Sequence, residues 1–310
     1  MAITAAMVKE LREKSGAGMM DCKKALNETN GNMDEAMEYL RKNGQAKAEK
    51  KAARIAAEGI VKIAVKDNTA AIVEVNSETD FVAKNEKFQT YVGKVAEQVL
   101  VSNASDIDAF MEESWAEDSS KTVKDALVEQ VAVIGENLKI RRFEKVVAEN
   151  GCVVDYIHGG GRIGVIVEAD TTVVNDAVKE AMKNIAMQIA ALNPKYVTRS
   201  EISAEYIAHE KEILMAQIMN DPKESQKPEK VINGMIEGRV NKELKEICLV
   251  DQVYVKAEDG KQTVAKYLEA VSKEAGAPVS VKRFVRFETG EGLEKKNEDF
   301  AAEVAAQMNQ

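Results

Sequence analysis

Two runs, Ala70-Ala71-Ile72-Val73-Glu74-Val75 and Ile163-Gly164-Val165-Ile166-Val167-Glu168, decide how this chain is read. Each carries the same apolar-acidic tripeptide, Ile72-Val73-Glu74 in the first and Ile166-Val167-Glu168 in the second, 94 residues apart. Downstream of each lies a stripe stepping by four, three and four residues. The first is Phe88, Val92, Val95 and Val99; the second is Val178, Met182, Ile185 and Ile189, 90 residues further on. Such a step marks one buried face of a helix. The pattern predicts two copies of a strand-strand-helix unit, the first with four more residues between its strand and its helix.

In the first copy Ile60, Lys62 and Ala64 alternate against Val61, Ile63 and Val65, Asp67-Asn68 supplies a turn, and a strand over 70–75 completes a hairpin. A helix over 87–101 follows. The longer connection holds Thr79-Asp80-Phe81-Val82 in polar surroundings, Asn76-Ser77-Glu78 before it and Ala83-Lys84-Asn85-Glu86 after. A large aromatic there has two readings: it staples the entrance of its own helix, or it is presented to something else. A helical stretch over 123–137 leads to the second copy. That copy is expected to open at 139–148, continue through Cys152-Val153-Val154-Asp155-Tyr156-Ile157, turn at Gly159-Gly160-Gly161 and end in a helix over 176–192, stopped by Asn193-Pro194. Paired units of this kind form α+β layers, sheet on one side and helices on the other.

The first 45 residues read as a three-helix unit. Val8 and Leu11 start one apolar face, Cys22, Ala25 and Leu26 a second, and Met33, Ala36, Met37 and Leu40 a third. Breaks fall at Ser15-Gly16-Ala17-Gly18 and Asn30-Gly31, Asn32 with Glu35 starts the third helix, and Asn43-Gly44 is expected to end it. A helical linker over 46–58 follows, and its cations from Arg41 to Arg54 read as a solvated face. The core is expected to divide into 59–138 and 139–289. Inserted in the latter, over about 201–247, is an antiparallel helical hairpin. Its seams are Ile213, Leu214 and Ile218, and Ile232, Ile236, Val240, Leu244 and Ile247. A strand near 252–256, a helix over 263–275 and a strand over 279–287 return to the core. A C-terminal helical module over 290–310 shows Phe300, Val304 and Met308.

Composition narrows the function. With 45% hydrophobic and 31% charged residues, the 310-residue chain can build real cores. Its formal charge of −9 argues against direct nucleic-acid binding, which needs a basic surface. No run is long enough for a membrane span, and the N-terminal residues suit neither a secretory signal nor a transit peptide. Cys22, Cys152 and Cys248, odd in number and widely spaced, fit a reducing cytoplasm and make neither a disulfide framework nor a metal site with His158 and His209. His209 reads as solvated and His158 as a turn residue. The triple glycine precedes a strand and so lacks the helix N-terminus of a phosphate cradle. What remains is a protein that acts on another protein.

Two stretches carry a family resemblance. Residues Val8-Lys9-Glu10-Leu11-Arg12-Glu13-Lys14-Ser15-Gly16-Ala17-Gly18-Met19-Met20-Asp21-Cys22-Lys23-Lys24-Ala25-Leu26 resemble the N-terminal signature of the elongation factor Ts family. Thr79-Asp80-Phe81-Val82-Ala83-Lys84 is similar to its second signature. Tyr156-Ile157-His158, Gly160-Gly161-Arg162-Ile163-Gly164 and Phe284-Val285-Arg286-Phe287 extend the likeness, whereas Asp251-Gln252-Val253-Tyr254-Val255-Lys256 departs from the usual Gln-Pro-Phe pattern.

The resemblance implies a UBA-like N-terminal module and a guanine nucleotide exchange factor, not an enzyme, with elongation factor Tu as partner. It implies that Thr79, Asp80, Phe81 and Val82 act near the partner's Mg2+ and phosphate site. Met19, Met20, His158, Gly159 and Phe300 would make further contacts. The family also implies no bound metal or cofactor, and self-association through the hairpin in some relatives. The alternative is a non-catalytic, dimerising interaction scaffold with a small docking module. An enzyme using carboxylates alone is a further rival.

Overall fold

The computed structural model describes residues 2–294, so the expected helix with Phe300, Val304 and Met308 lies outside the described residues. Side-chain caps start the first and third of the N-terminal helices. Thr4 caps α1 (Ala5–Ser15), which ends where Gly16 turns left-handed, and α2 (Met19–Glu28) follows. Asn32 caps α3 (Met33–Lys51) by accepting from the N–H groups of Asp34 and Glu35. Leu11, Cys22, Ala25, Leu26 and Ala36 are wholly buried between the three.

The expected stop at Asn43-Gly44 does not occur. α3 runs on to Lys51, because the Ala- and Lys-rich stretch after Gly44 favours helix. Gly44 lies buried in the packed face of α3 instead of ending it.

The hairpin of β1 (Glu58–Lys66) and β2 (Thr69–Ser77) turns at Asp67, as the alternation predicts. A four-residue helix, α4 (Asp80–Ala83), precedes α5 (Glu86–Val101), which buries Phe88, Val92, Val95 and Val99. α6 (Ile107–Glu112) and a small hairpin, β3 (Ser114–Trp115) with β4 (Asp118–Thr122), lead to α7 (Val123–Ile134). The next strand, β5 (Lys139–Val147), pairs antiparallel with β2. It therefore completes the first sheet, in the order β1-β2-β5, and does not open the second unit as expected.

The second sheet repeats this plan. β6 (Cys152–His158) and β7 (Ile163–Thr171) form the hairpin, and α8 (Asp176–Leu192) buries Val178, Met182, Ile185 and Ile189. Between β7 and α8 lie four residues; between β2 and α5 lie eight, the surplus read from the repeat.

α9 (Ala204–Asn220) and α10 (Glu229–Ile247) form the helical hairpin, with Ile218, Ile232, Ile236, Val240 and Leu244 buried in its seam and Ile213 left exposed. α11 (Val264–Ala275) then precedes β8 (Val279–Glu288), which pairs with β7 as β5 pairs with β2. Residues 252–256 do not form the expected strand. The buried Gln188 amide takes the backbone groups a neighbouring strand would take, donating to Val253 O and accepting from Val255 N–H.

The two sheets pack face to face through Val61, Ala70, Ile72, Val146, Ile166, Val285 and Phe287. Helices α5 and α6 cover the outer face of the first sheet, with α7 packed beyond them in the same core, and α8 and α11 cover that of the second. On the inter-sheet side lie two buried carboxylates. Opposite Glu74 the register shifts so that Glu74 faces Arg142 while Val75 faces Ile140. Opposite Glu168 it shifts so that Glu168 faces Arg283 while Ala169 faces Val281.

A bulge sets two residues of one strand against one of the other, and each bulge here delivers two successive cations. Glu74 accepts from Arg142 Nε at 2.6 Å and Arg141 Nη1 at 3.0 Å. Glu168 accepts from Arg283 Nε at 2.8 Å and Lys282 Nζ at 2.9 Å. Glu74 also accepts from Asn76 Nδ2 and from Gly290 N–H. Gly290 adopts φ 72°, and a Cβ there would sit 2.2 Å from Ala57 O, so only glycine fits.

Burial pushes the Glu74 carboxyl upward, but the Gly290 N–H, Asn76 and the two arginines outweigh it and hold it below the usual range. Lys282 and Arg283 do the same for Glu168. A carboxylate with a lowered folded pKa stabilises fully above its unfolded value and loses that stabilisation as pH falls through the folded one. The thermal midpoint is therefore expected to drop as pH falls below about 4.3. Glu74→Gln should cost roughly 3 kcal/mol at neutral pH and flatten that acid dependence, as read by circular dichroism melts. A Cβ on Gly44 would meet only Ala132 Cβ at 3.6 Å and Val128 Cγ1 at 3.9 Å, ordinary contacts with α7. Gly44→Ala should thus stabilise α3 by about 0.5–1 kcal/mol in urea unfolding.

Candidate functional site

The surplus connection is a braced loop with one free aromatic. Thr79 caps α4, its hydroxyl accepting from Val82 N–H. Ala83 is buried and Val82 packs on the first core, so the short helix is tied down on one side. Phe81 faces the other way and is 81% exposed. The structure excludes the first of the two readings of Phe81: the ring does not staple its own helix.

Next to it Asp80 accepts from Lys84 Nζ at 2.6 Å, and that hydrogen bond holds its carboxyl below the usual range. The loop thus offers an apolar ring beside a carboxylate that is ionised at neutral pH.

What braces the loop lies far away in sequence. Glu136, just beyond the left-handed Gly135 that ends α7, accepts from the N–H groups of Glu78 and Thr79, each at 3.0 Å, and from Thr79 Oγ1 at 2.6 Å. The adjacent Asn137 N–H donates to Glu78 Oε1 at 2.6 Å, and Asn137 Nδ2 donates to Arg54 O at 2.8 Å. Lys51 Nζ donates to Gly135 O, and Arg54 pairs with Glu78 at 3.4 Å. Burial and the neighbouring Arg54 lower the Lys51 pKa.

Lys47 reaches back to Asp21 of α2 at 2.9 Å. Part of the basic stretch read as a solvated face therefore serves internal ties. The end of α3, the end of α7 and the loop base form one polar junction. Sequence reading missed Glu136 because its partners are 57 and 58 residues away; the only local signal was an acid following a helix-ending glycine.

Of the remaining expected site residues, those among the described residues are exposed but separate. Met19 and Met20, 58% and 75% exposed, open α2 without joining the loop. His158 and Gly159 are exposed at the β6–β7 turn, where Tyr156 OH and His158 Nδ1 lie 2.9 Å apart. His209 is exposed on α9, as expected. Phe300 lies outside the described residues. Among the described residues no group of three or more His, Cys, Asp or Glu side chains is arranged to hold a metal ion. Nor is any helix among them long and apolar enough to cross a membrane.

The site is thus an exposed aromatic on a braced loop, carried by a two-sheet body. Comparison with known proteins shows the family. A family model described as Elongation factor TS matches residues 78–291. Elongation factor Ts of Clostridium novyi (strain NT) is 50% identical over 310 residues, covering 99% of each chain. That of Clostridioides difficile (strain 630) is 51% identical over 308 residues, again 99% of each. The chain belongs to the elongation factor Ts family, whose members are nucleotide exchange factors of translation elongation and not enzymes.

Because Phe81 makes so little contact with its own protein, Phe81→Ala should change folding stability by less than about 0.5 kcal/mol in urea unfolding.

Proposed function

We propose that this chain promotes release of GDP from elongation factor Tu by inserting the Asp80/Phe81 loop beside the partner's Mg2+ and phosphate-binding site. The observation that carries the reading is an exposed Phe81 on a loop whose backbone is fixed at Glu78 and Thr79. A nucleotide held by a metal and a phosphate loop leaves slowly, and an exchange factor must bind better the state that lacks those contacts. An aromatic buried on binding supplies that bias, since such side chains dominate interface energetics. Lowering the release barrier by about 3 kcal/mol corresponds to more than a hundredfold in rate.

In this reading the N-terminal helices serve as a UBA-like docking module on the GTPase domain, and Met19 and Met20 contribute exposed apolar contact. His158, Gly159 and Phe300 touch other parts of the partner. The factor works in the cytoplasm and itself binds neither nucleotide, metal nor nucleic acid. The helical hairpin, with Ile213, Met215, Met219 and Val231 exposed, serves self-association. Solution mass of the full chain against a variant lacking 203–244 tests that part; equal oligomeric states would remove it.

Release of a fluorescent GDP from elongation factor Tu tests the function. The wild-type chain should accelerate it strongly, and Phe81→Ala should lose most of the effect while staying folded. No acceleration by the wild type would refute the exchange reading, whereas a fully active Phe81→Ala would remove only the loop mechanism.

A further inference from the structure

We propose that Glu136 is a positioning residue for exchange, acting through the Thr79–Val82 loop without touching the partner. The inference rests on the exchange reading above. Both of its carboxylate oxygens are committed to the loop base, one to the two backbone N–H groups and the other to the Thr79 hydroxyl. Those groups flank the point where the chain leaves β2 and enters α4, so they set the direction in which Phe81 projects.

The acid is itself anchored. Gly135 O on one side is held by Lys51, and Asn137 on the other donates to Arg54 O and Glu78. Lys51 ends α3, whose Lys47 pairs with Asp21 of α2. One continuous set of hydrogen bonds therefore joins the N-terminal helices, the end of α7 and the base of the aromatic loop. The two exposed apolar features, Met19-Met20 and Phe81, are presented from one framework.

This arrangement gives Glu136 a distinct kinetic signature. A loop released from its clamp samples many orientations, and only a fraction of them carries Phe81 in the productive pose. Docking through the rest of the surface remains. The loss should therefore fall on the rate at saturating factor, in proportion to the competent fraction, and hardly on the concentration giving half-saturation. A residue that merely held the fold together would lower the rate and raise the half-saturation concentration, or unfold the protein.

The experiment measures fluorescent GDP release from elongation factor Tu against full-length factor, using Glu136→Ala and the size-conserving Glu136→Met, whose thioether cannot hold the two backbone N–H groups and the hydroxyl. At saturation the rate should fall on the order of tenfold, with half-saturation moved by less than about twofold. In a Phe81→Ala background Glu136→Ala should add little further loss, since both act through one element.

Amide hydrogen exchange at Glu78 and Thr79 should accelerate in both Glu136 variants, with thermal melts retaining a single cooperative transition. Wild-type rates in folded Glu136→Met would overturn the proposal, as would a full multiplicative loss on top of Phe81→Ala. Failure of the wild-type chain to accelerate release would end the exchange reading and this role with it. The amide measurement would then still report whether the clamp exists.

Discussion

Two carboxylates buried between packed sheets, Glu74 and Glu168, impose the condition that the rest of this structure meets. An ionised group in that position is tolerable only when paired and hydrogen-bonded. Each is answered by two successive cations on the neighbouring strand, and only a bulge can aim successive residues at one acceptor. The bulge also reverses the inside-outside parity of the strand. Val146 faces the other sheet while Ile140 faces the helices; Val285 and Phe287 face the other sheet while Val279 and Val281 face the helices. Satisfying one charge thus fixes the register, and the register decides which side chains build each core.

The same condition positions the aromatic loop. Glu74 sits on the central strand of the first sheet, a few residues before that strand releases the chain at Ser77. It also captures the Gly290 N–H, and Arg142 lies 4.3 Å over the Phe287 ring while donating to Glu288 O, so the end of β8 is tied to the first sheet. The loop starts from a strand held from both sides. Its own brace at Glu136 then fixes direction, and Phe81 remains the large apolar side chain of the loop left in water.

Much of this was legible in the sequence, because it rests on local periodicity. The stripes through Phe88 and Val178 are the buried helix faces, Asp67 is the turn, and the four surplus residues hold α4. The errors came where long-range partners override local signals. Asn43-Gly44 reads as a helix end, yet α3 continues past it along α7. The strand at 139–147 follows the first unit's helices in sequence and pairs back across them. Residues 252–256 have strand composition, but a glutamine side chain takes their hydrogen bonds. Glu136 had no local pattern at all. The exposure of Phe81 could be posed as a question from sequence, and only tertiary structure answers it.

The central claim is that a fixed loop delivers Phe81 to the nucleotide site of elongation factor Tu. The most direct measurement replaces Phe81 with a photoreactive phenylalanine analogue, irradiates the complex with elongation factor Tu and maps the cross-linked residues by mass spectrometry. The account predicts cross-links in the GTPase domain, beside its magnesium and phosphate-binding segments. Cross-links confined to another domain, or none from a complex that still forms, would contradict it.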